Sequence, residues 1–375
     1  MQRITIVGAG FGGLNAVRAI RKADRSVGID LVAPHPAFVF YPGTIWIPTG
    51  DDEPDKHKVA LDRFFERMGV DYHETSATGL SDGGRRLETG AGTIENDGLI
   101  IASGARFIDR PEGLSNAFVP CRGIDEMARL RQRLHALDQG TLAFGFTGNP
   151  DEASAIRGGP VFELLFGIET WLRRNRRRGD FRLVFFSSST RPGGRLGDKA
   201  AERLLAEMRK RGIETRLGVT PTRIESDRVV TDEDEFISNL TVFMPGLTGA
   251  AWFDRTDLRR SDGGLLAADE YCRAPGMRRV YVVGDAGSYV GPEWLPKRGH
   301  TAENQAAAAA RNMLDELAGR APSKPFRPEL VYIVDMQDKA MLIVRSDRLT
   351  VASPPILPLH WLKRAFEWNY MRRFQ

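Results

Sequence analysis

The stretch Arg3-Ile4-Thr5-Ile6-Val7-Gly8-Ala9-Gly10-Phe11-Gly12-Gly13 is the most informative part of the chain. Its first five residues form a short, β-branched apolar run, which predicts a buried strand. The glycines that follow match the pattern G-x-G-x-x-G, and apolar side chains at helical spacing continue to residue 22. Because a second strand is expected at residues 28–32, the motif lies in the strand–turn–helix–strand context of dinucleotide binding.

The glycine turn has a physical reason at each position. Gly8 permits the tight turn, Gly10 lets the backbone approach a pyrophosphate, and Gly13 lets the helix pack closely on the strand. The free N–H groups and the partial positive charge of the helix N-terminus then favour phosphate. We therefore predict that the whole turn borders a dinucleotide cofactor: Gly8, Gly10, Phe11, Gly12 and Gly13.

The end of the second strand departs from this pattern. An Asp or Glu is expected there, because a carboxylate binds the hydroxyl groups of the ribose. The sequence instead has Ala33, followed by Pro34 and His35. We expect Ala33 to border the ribose and backbone groups to hold it.

Two later strands provide further landmarks. An apolar run near residue 100 ends in Ala-Ser-Gly, and another near residue 282 ends in Gly-Asp. In FAD-dependent, disulfide-reductase-like proteins, a strand of the first kind closes over the cofactor, and the Gly-Asp of the second kind lies against the ribityl chain. The alternative role for the aspartate is a helix N-cap. We therefore expect FAD to contact five residues here: Ala102, Ser103, Gly104, Gly284 and Asp285.

A second α/β unit lies between these landmarks. Its predicted elements are strands at 141–147 and 181–186 and helices at 161–174 and 200–210. The first turn, residues 145–150, does not match G-x-G-x-x-G, and the second strand ends in three serines rather than in an acid. The unit therefore has the pattern of a nucleotide-binding fold but is poorly equipped to bind NAD(P)H.

With these landmarks, the chain resembles the sulfide:quinone oxidoreductases, which are related to the flavocytochrome c sulfide dehydrogenases and the type II NADH dehydrogenases. The resemblance runs over nearly the whole chain. It implies two Rossmann-like domains, one FAD, and a C-terminal region that touches the membrane and admits quinone. The most specific stretches are 38–42 (Phe-Val-Phe-Tyr-Pro), 242–246 (Val-Phe-Met-Pro-Gly), 295–299 (Leu-Pro-Lys-Arg-Gly) and the tail from 325 to 370.

The resemblance also implies roles for single residues. Lys297 stands where the family's lysine contacts the flavin pyrimidine; the alternative is a surface lysine. Glu303 is either a candidate proton carrier near quinone or a solvated helix residue. Cys121 matches a cysteine that in some members attaches to the flavin or handles sulfur, and the alternative is a buried, inert thiol. Pro42 and Ala77 are expected to border the FAD.

The sequence departs from the family at its redox cysteines. The family's sulfide chemistry uses a cysteine pair that faces the flavin. This chain has Arg157 just before the Gly-Pro-x-x-Glu segment and Tyr332 in the strand after the Pro-Phe-Arg-Pro segment, where the two cysteines belong. Cys272 fills neither place. Because only a thiolate can attack and hold sulfur in this way, ordinary sulfide oxidation through a cysteine disulfide is in doubt.

The composition excludes several classes of function. A length of 375 residues allows two or more domains, with 42% apolar and 27% charged residues as in a globular protein. Two cysteines and six histidines without ligand spacing predict neither a disulfide scaffold nor a metal site. The net charge is only +4, and the arginine-rich run 173–178 is not interleaved with aromatic residues, so nucleic acid is not an expected partner.

The C-terminal residues 358–374 predict a helix with proline in its first turn. Its Trp and Tyr residues beside basic residues suit a membrane surface, and the alternative is packing on the core or on a second subunit. A single short helix binds lipid weakly, so a homo-oligomer would strengthen the contact. The chain begins with a strand rather than a secretory leader, and we expect a cytoplasmic location or a peripheral one on the cytoplasmic membrane.

The sequence therefore predicts an α/β protein with two Rossmann-like dinucleotide-binding domains and a C-terminal amphipathic helical segment. The expected limits are 1–110 with 246–318 for the FAD domain, 111–245 for the second domain, and 319–375 for the membrane and quinone segment. The first hypothesis is an FAD-dependent oxidoreductase that passes electrons from sulfide or a related small reductant to quinone. The alternatives are an NADH:quinone oxidoreductase and a non-catalytic flavin-binding protein.

Overall fold

The computed structural model describes all 375 residues. The chain forms seven α-helices and two large sheets. The seven α-helices are α1 (Phe11–Ala23), α2 (Asp62–Met68), α3 (Ile124–His135), α4 (Gly159–Arg174), α5 (Asp198–Lys210), α6 (Gly299–Leu317) and α7 (Leu357–Met371).

Twenty-five strands, most of them short, lie between and beside these helices in the chain. In the first part of the chain they are β1 (Arg3–Val7), β2 (Gly28–Ala33), β3 (Ala37–Val39), β4 (Lys58–Ala60), β5 (Val70–Glu74), β6 (Ala77–Ser81), β7 (Arg86–Thr89), β8 (Gly92–Glu95), β9 (Gly98–Ile101) and β10 (Arg106–Phe107). In the middle they are β11 (Ala117–Phe118), β12 (Gly140–Phe146), β13 (Phe181–Ser187), β14 (Glu214–Leu217), β15 (Pro221–Ile224), β16 (Arg228–Thr231), β17 (Glu235–Ile237), β18 (Leu240–Met244) and β19 (Leu247–Thr248). In the last part they are β20 (Leu266–Ala268), β21 (Val280–Val282), β22 (Gly287–Tyr289), β23 (Leu330–Asp335), β24 (Ala340–Arg345) and β25 (Thr350–Ala352).

The first large sheet has five parallel strands in the order β21-β9-β1-β2-β5. Along β9, Ile100 packs into a core shared with α1 and α6, whereas Leu99 and Ile101 pack into a second core on the opposite face. A strand that is covered on both faces has a continuous apolar sequence, which explains why β9 lacks polar alternation.

The second large sheet also has five parallel strands, in the order β11-β18-β12-β13-β14. Its core is rich in phenylalanine, and the rings of Phe162 on α4 and Phe185 on β13 stack with their centroids 5.4 Å apart. A third, antiparallel sheet of β23, β24 and β25 packs on this unit. One of its contacts is the hydrogen bond that Thr170 Oγ1 donates to the carbonyl oxygen of Met336, at 2.8 Å.

The predicted fold class is confirmed, because both large sheets are parallel and alternate with helices. The strands predicted in the second unit are β12 and β13, and α4 and α5 each begin slightly earlier than predicted. The domain limits stay a proposal. They are supported by the strands, since each large sheet takes all its strands from one of the two Rossmann-like ranges and the antiparallel sheet lies wholly in the last range.

Helix α7 has its charged residues inside and its apolar residues outside. Trp361, Phe366 and Trp368 are 62%, 50% and 61% exposed, whereas Lys363 and Glu367 are buried. An ordinary surface helix has the opposite arrangement. The exposed apolar face of α7 therefore needs a covering that the rest of the chain does not provide. Separately, none of the helices combines the length and apolarity needed to cross a bilayer.

Ion pairs attach the buried face of α7 to the protein body. Lys363 Nζ binds the carboxylate of Glu163 on α4, and His360 Nδ1 lies 2.9 Å from Oδ2 of Asp335 at the end of β23. Further along, Glu367 Oε1 lies 2.6 Å from Nδ1 of the buried His57. Buried charges are tolerated only when they are paired in this way.

We expect Lys363→Met to lower the free energy of unfolding by about 3–5 kcal/mol, because it leaves the buried Glu163 carboxylate without its cation. Urea unfolding followed by circular dichroism measures the change. The control is Arg311→Met: the Arg311 side chain is exposed, 3.6 Å from Asp315, and its loss should cost at most about 1 kcal/mol because Asp315 keeps Arg320 as a partner.

The double variant Glu163→Gln/Lys363→Met should recover part of the loss, since it removes both buried charges. Equal losses for Lys363→Met and Arg311→Met would show that the pair does not anchor α7.

Candidate functional site

The carboxyl ends of three neighbouring strands bring the predicted cofactor motifs together. The strands β21, β9 and β1 are adjacent and parallel, so the residues that follow them meet at one edge of the sheet. These residues are the Gly-Asp pair after β21, the Ala-Ser-Gly segment after β9 and the glycine turn after β1. Ligands of open α/β sheets bind at this edge.

Two glycines of the turn are required by the protein itself. Gly8 has a φ of +110°, and a Cβ atom there would overlap the carbonyl oxygen of Ala102. A Cβ atom on Gly13 would overlap the carbonyl oxygen of Gly8. These contacts hold α1 close to β1 and β9.

Gly10 differs from these two glycines. No protein atom lies within 4 Å of the position that its Cβ would take. Its backbone is extended at the N-cap of α1, so an alanine could adopt the same conformation. The packing of the protein therefore does not require a glycine at this position, and its predicted role in admitting a ligand stays a prediction.

Two buried hydroxyl groups at the same edge also fit a cofactor. Ser103 Oγ and Thr301 Oγ1 are buried without a hydrogen-bond partner in the protein. Thr301 lies in the first turn of α6, on the wall of a cavity of about 180 Å³ that is also lined by Gly284, Asp285 and Lys297. Because an unsatisfied buried hydroxyl costs free energy, these atoms match the polar groups of a bound dinucleotide.

Lys297 is buried beside this cavity. Its Nζ donates to the carbonyl oxygen of Gly287 and lies 5.6 Å from the ring centroid of Tyr289. Burial lowers the pKa of Lys297 to about 8, although the carboxylates of Asp285 and Glu152 oppose the shift. The surface alternative for Lys297 is therefore wrong, because the side chain is buried, and its contact with the flavin stays a prediction.

Asp285 forms an ion pair with Arg157, which joins the end of β21 to the segment before α4. The helix N-cap alternative for Asp285 does not apply, because the N-cap of the following helix, α6, is Arg298. Arg157 also contacts Cys121, and burial raises the pKa of this thiol while Arg157 opposes the shift. Cys121 is therefore a protonated thiol at neutral pH rather than a thiolate nucleophile.

Residues 2–309 match the family model described as pyridine nucleotide-disulphide oxidoreductase. The chain belongs to this family. Members are flavin-dependent oxidoreductases, so the chain is an oxidoreductase with a flavin cofactor.

Two related proteins and one crystal structure show which members of the family this chain is similar to. The sulfide-quinone reductase of Aquifex aeolicus is 22% identical over 400 residues, which cover 99% of this chain and 90% of that protein. A type II NADH:quinone oxidoreductase of Mycobacterium tuberculosis is 25% identical over 362 residues, covering 87% and 75%. The crystal structure of the Aquifex aeolicus sulfide:quinone oxidoreductase superposes with a TM-score of 0.90 at 20% identity, covering 100% of this chain and 91% of that one. The predicted resemblance to the sulfide:quinone oxidoreductases is confirmed.

This oxidoreductase lacks a cysteine pair in both sequence and structure. Arg157 and Tyr332 stand in place of the pair, and each is held by polar partners: Arg157 by Asp285, and Tyr332 by Glu163. The Tyr332 hydroxyl donates to Glu163 Oε2 at 2.8 Å, and the guanidinium of Arg298 lies 3.6 Å from the centroid of its ring. Cys272 is fully buried and makes no disulfide.

The other predicted site residues are placed as follows. Glu303 on α6 forms an ion pair with Arg373 at 3.0 Å, so it contacts the C-terminal segment. The carbonyl oxygen of Ala33 accepts a hydrogen bond from Tyr72 at 2.8 Å. Pro42 lies in a 3-10 helix, and Ala77 begins β6. Their roles toward the cofactor, and those of Phe11 and Gly12, stay predictions.

Sequence reasoning missed the polar partners around the site. In the sequence, Arg157 only marks the position of an absent cysteine, and Glu163 is only the last residue of the Gly-Pro-x-x-Glu segment. In the structure, both bind charged groups far along the chain. A third group, Asp52, His57 and Glu367, has ligand atoms within 4.8 Å of one another. Lys56 and Arg364, which are partly exposed, both bind the buried Asp52, so these residues form an ion network that reaches the surface.

We expect Gly10→Ala to weaken flavin binding by roughly tenfold or more while the unfolding free energy changes by less than about 1 kcal/mol. The added methyl group meets no protein atom, but it stands where the backbone must approach the pyrophosphate. Fluorescence titration of flavin-free protein measures affinity, and urea unfolding measures stability.

Gly13→Ala should instead destabilise the protein itself by at least about 2 kcal/mol, because its methyl group overlaps the backbone. Gly179→Ala, at an open position remote from the turn, is the matched control and should change neither quantity. Undiminished flavin affinity in Gly10→Ala would rule out the assigned role of Gly10.

Proposed function

We propose that this chain binds FAD and passes two electrons from a small reductant, sulfide or a related compound, to a quinone. The observation that carries the proposal is the exposed aromatic face of α7 on a helix that is tied to the cofactor site. Tyr370 of α7 lies with its ring centroid 5.6 Å from that of Phe11 in the glycine turn, and its hydroxyl accepts from Asn15 at 2.8 Å. An apolar acceptor that approaches α7 is therefore close to the cofactor turn.

A dinucleotide form of flavin is supported by the glycine turn. A pyrophosphate is what Gly10 and the N-terminus of α1 are suited to bind, and FAD contains one. Bound FAD would take up an electron pair and release it to the acceptor, while the protein positions it and excludes water. We propose that Asp285 accepts a hydrogen bond from the ribityl chain and that Lys297 lies near the flavin pyrimidine.

The membrane is the proposed partner of α7. Trp and Phe side chains on one face of a helix, with arginines at its end, suit the boundary between headgroups and acyl chains. Quinones are apolar and reside in that phase, so a peripheral position on the cytoplasmic membrane would supply the acceptor. Several copies of one short helix bind lipid better than one copy, and we propose a homo-oligomer for that reason.

The alternative donor, NADH, is suggested by the likeness to the Mycobacterium tuberculosis enzyme. In dinucleotide folds the nucleotide ribose binds beyond the end of the second strand, which here is β13. The loop that follows β13 is covered by the antiparallel sheet: Arg345 donates to the carbonyl oxygen of Arg195 at 2.8 Å, and Gly197 closely approaches Thr350. This covering disfavours NADH as the donor.

We expect sulfide to bleach the flavin absorption band of the anaerobic protein rapidly, NADH to bleach it slowly or not at all, and a short-chain quinone to restore it. Stopped-flow mixing of each compound separately measures the rates. Rapid bleaching by NADH would instead support the alternative, and no bleaching by either compound would leave both donors without support.

Cys121→Ser distinguishes a reaction of sulfide that uses the Cys121 thiol from a direct reaction of sulfide with the flavin. If the Cys121 thiol stays protonated, as its surroundings indicate, the variant should keep the bleaching rate within about threefold, well below the tenfold effect of a group that acts in the rate-limiting step. A larger loss would assign the sulfur chemistry to Cys121.

We expect Trp361→Ser/Trp368→Ser to weaken binding to vesicles that contain an anionic phospholipid by roughly tenfold or more, since burial of each aromatic side chain contributes about 1.5–3 kcal/mol. Co-sedimentation measures the bound fraction. Ile237→Ser is the matched control, because Ile237 is 63% exposed on β17, far from α7 in the chain. Equal binding of the two variants would contradict membrane docking through α7.

A further inference from the structure

Arg157 provides a second cation at the cofactor edge, and nothing in the proposed function uses it. Its guanidinium contacts the carboxylate of Asp285 on one side and the thiol of Cys121 on another. The Arg157 and Asp285 side chains are only 19% and 24% exposed. The contact spans the two sheets, because Asp285 follows β21 of the first sheet and Arg157 precedes α4 of the second unit.

The two cations beside Asp285 differ in how firmly they hold their charge. Burial lowers the pKa of Lys297 to about 8, so this lysine loses its charge as the pH rises above neutral. Burial also disfavours the charged form of Arg157, but the carboxylate of Asp285 outweighs it and raises the pKa of the guanidinium. Arginine stays protonated at every pH at which proteins are folded. Arg157 is therefore the permanent cation at this edge.

We propose that Arg157 is a positioning residue of the flavin site, which orients the Asp285 carboxylate and neutralises its charge so that the bound flavin is easier to reduce. The proposal rests on the proposed function only in placing the flavin against Asp285. Reduction adds electrons to the flavin, and an unneutralised carboxylate nearby opposes this. Without Arg157, the cation that remains beside Asp285 is Lys297, whose pKa is lowered by burial.

The structure also shows why a lysine could not fully replace Arg157. A guanidinium has several N–H donors in a fixed plane, so one group can bind the carboxylate of Asp285 and the sulfur of Cys121 together. An ammonium group carries the charge but lacks this planar arrangement. Arg157→Lys therefore separates the effect of the positive charge from the effect of the planar group that orients Asp285.

The test is the midpoint potential of the bound flavin, measured by equilibrium titration against a reference dye. We expect Arg157→Met to shift the potential to a more negative value by at least a tenfold change in the equilibrium constant, which is about 30 mV for a two-electron couple. Arg157→Lys should give a smaller shift in the same direction. Arg311→Met, which removes an exposed arginine from α6, should leave the potential unchanged.

The double variant Arg157→Met/Asp285→Asn tests the cause of the shift. If Arg157 acts by neutralising Asp285, removing both charges should return the potential most of the way to the unsubstituted value. The potential is read on the flavin-bound fraction, and circular dichroism verifies that each variant is folded. Should Arg157→Met not fold, the comparison between Arg157→Lys and Arg311→Met decides, and equal potentials in those two variants overturn the proposal.

Failure of this proposal is distinguishable from failure of the proposed function. A potential in Arg157→Met equal to that of Arg311→Met overturns the role of Arg157, whichever donor or acceptor the enzyme uses. Conversely, a shifted potential supports Arg157 even if neither sulfide nor quinone reacts, because dye titration needs no natural substrate. A chain that binds no flavin at all would overturn both.

Discussion

The close backbone contact at the ends of β1 and β9 is the constraint on which the site depends. The carbonyl oxygen of Ala102 lies where a side chain on Gly8 would be, and the carbonyl oxygen of Gly8 lies where a side chain on Gly13 would be. These contacts set the distance between α1 and the sheet, and with it the position of the helix N-terminus. Every group that follows the adjacent strands, including Asp285, is then fixed relative to one anion-binding corner.

The arrangement of α7 follows from a different balance of energies. Turning Lys363 and Glu367 inward removes charges from water, and His360 adds a polar side chain; the loss is recovered only because each has a buried partner. Turning the tryptophans outward forgoes hydrophobic burial within the chain. Both terms are unfavourable for an isolated protein, which supports the proposed contact of the outer face of α7 with an apolar phase.

Much of the fold could be predicted because its signals are local. The glycine spacing, the strands at 141–147 and 181–186 and the tail helix are each encoded within some twenty residues, and the structure has them all. The ion pairs of the site could not be predicted in this way. Arg157 and Asp285 are 128 residues apart, Glu163 and Lys363 are 200 apart, and His57 and Glu367 are 310 apart. No periodicity or spacing connects such residues. Tertiary packing brings them together: the two large units meet at Arg157 and Asp285, and α7 packs against α4 and the segment that carries His57.

The residues at the two absent cysteine positions, Arg157 and Tyr332, restrict how an electron donor can react with the protein. Burial raises the pKa of Tyr332 well above its usual range, so its hydroxyl stays neutral and donates to Glu163. Arg157 is cationic and Cys121 is a protonated thiol, so none of the three presents an anionic nucleophile. A donor that approaches these groups meets positive charge and hydrogen-bond donors rather than a ready thiolate. This arrangement supports the proposed entry of electrons directly at the cofactor, with the protein contributing orientation and electrostatic stabilisation at that step.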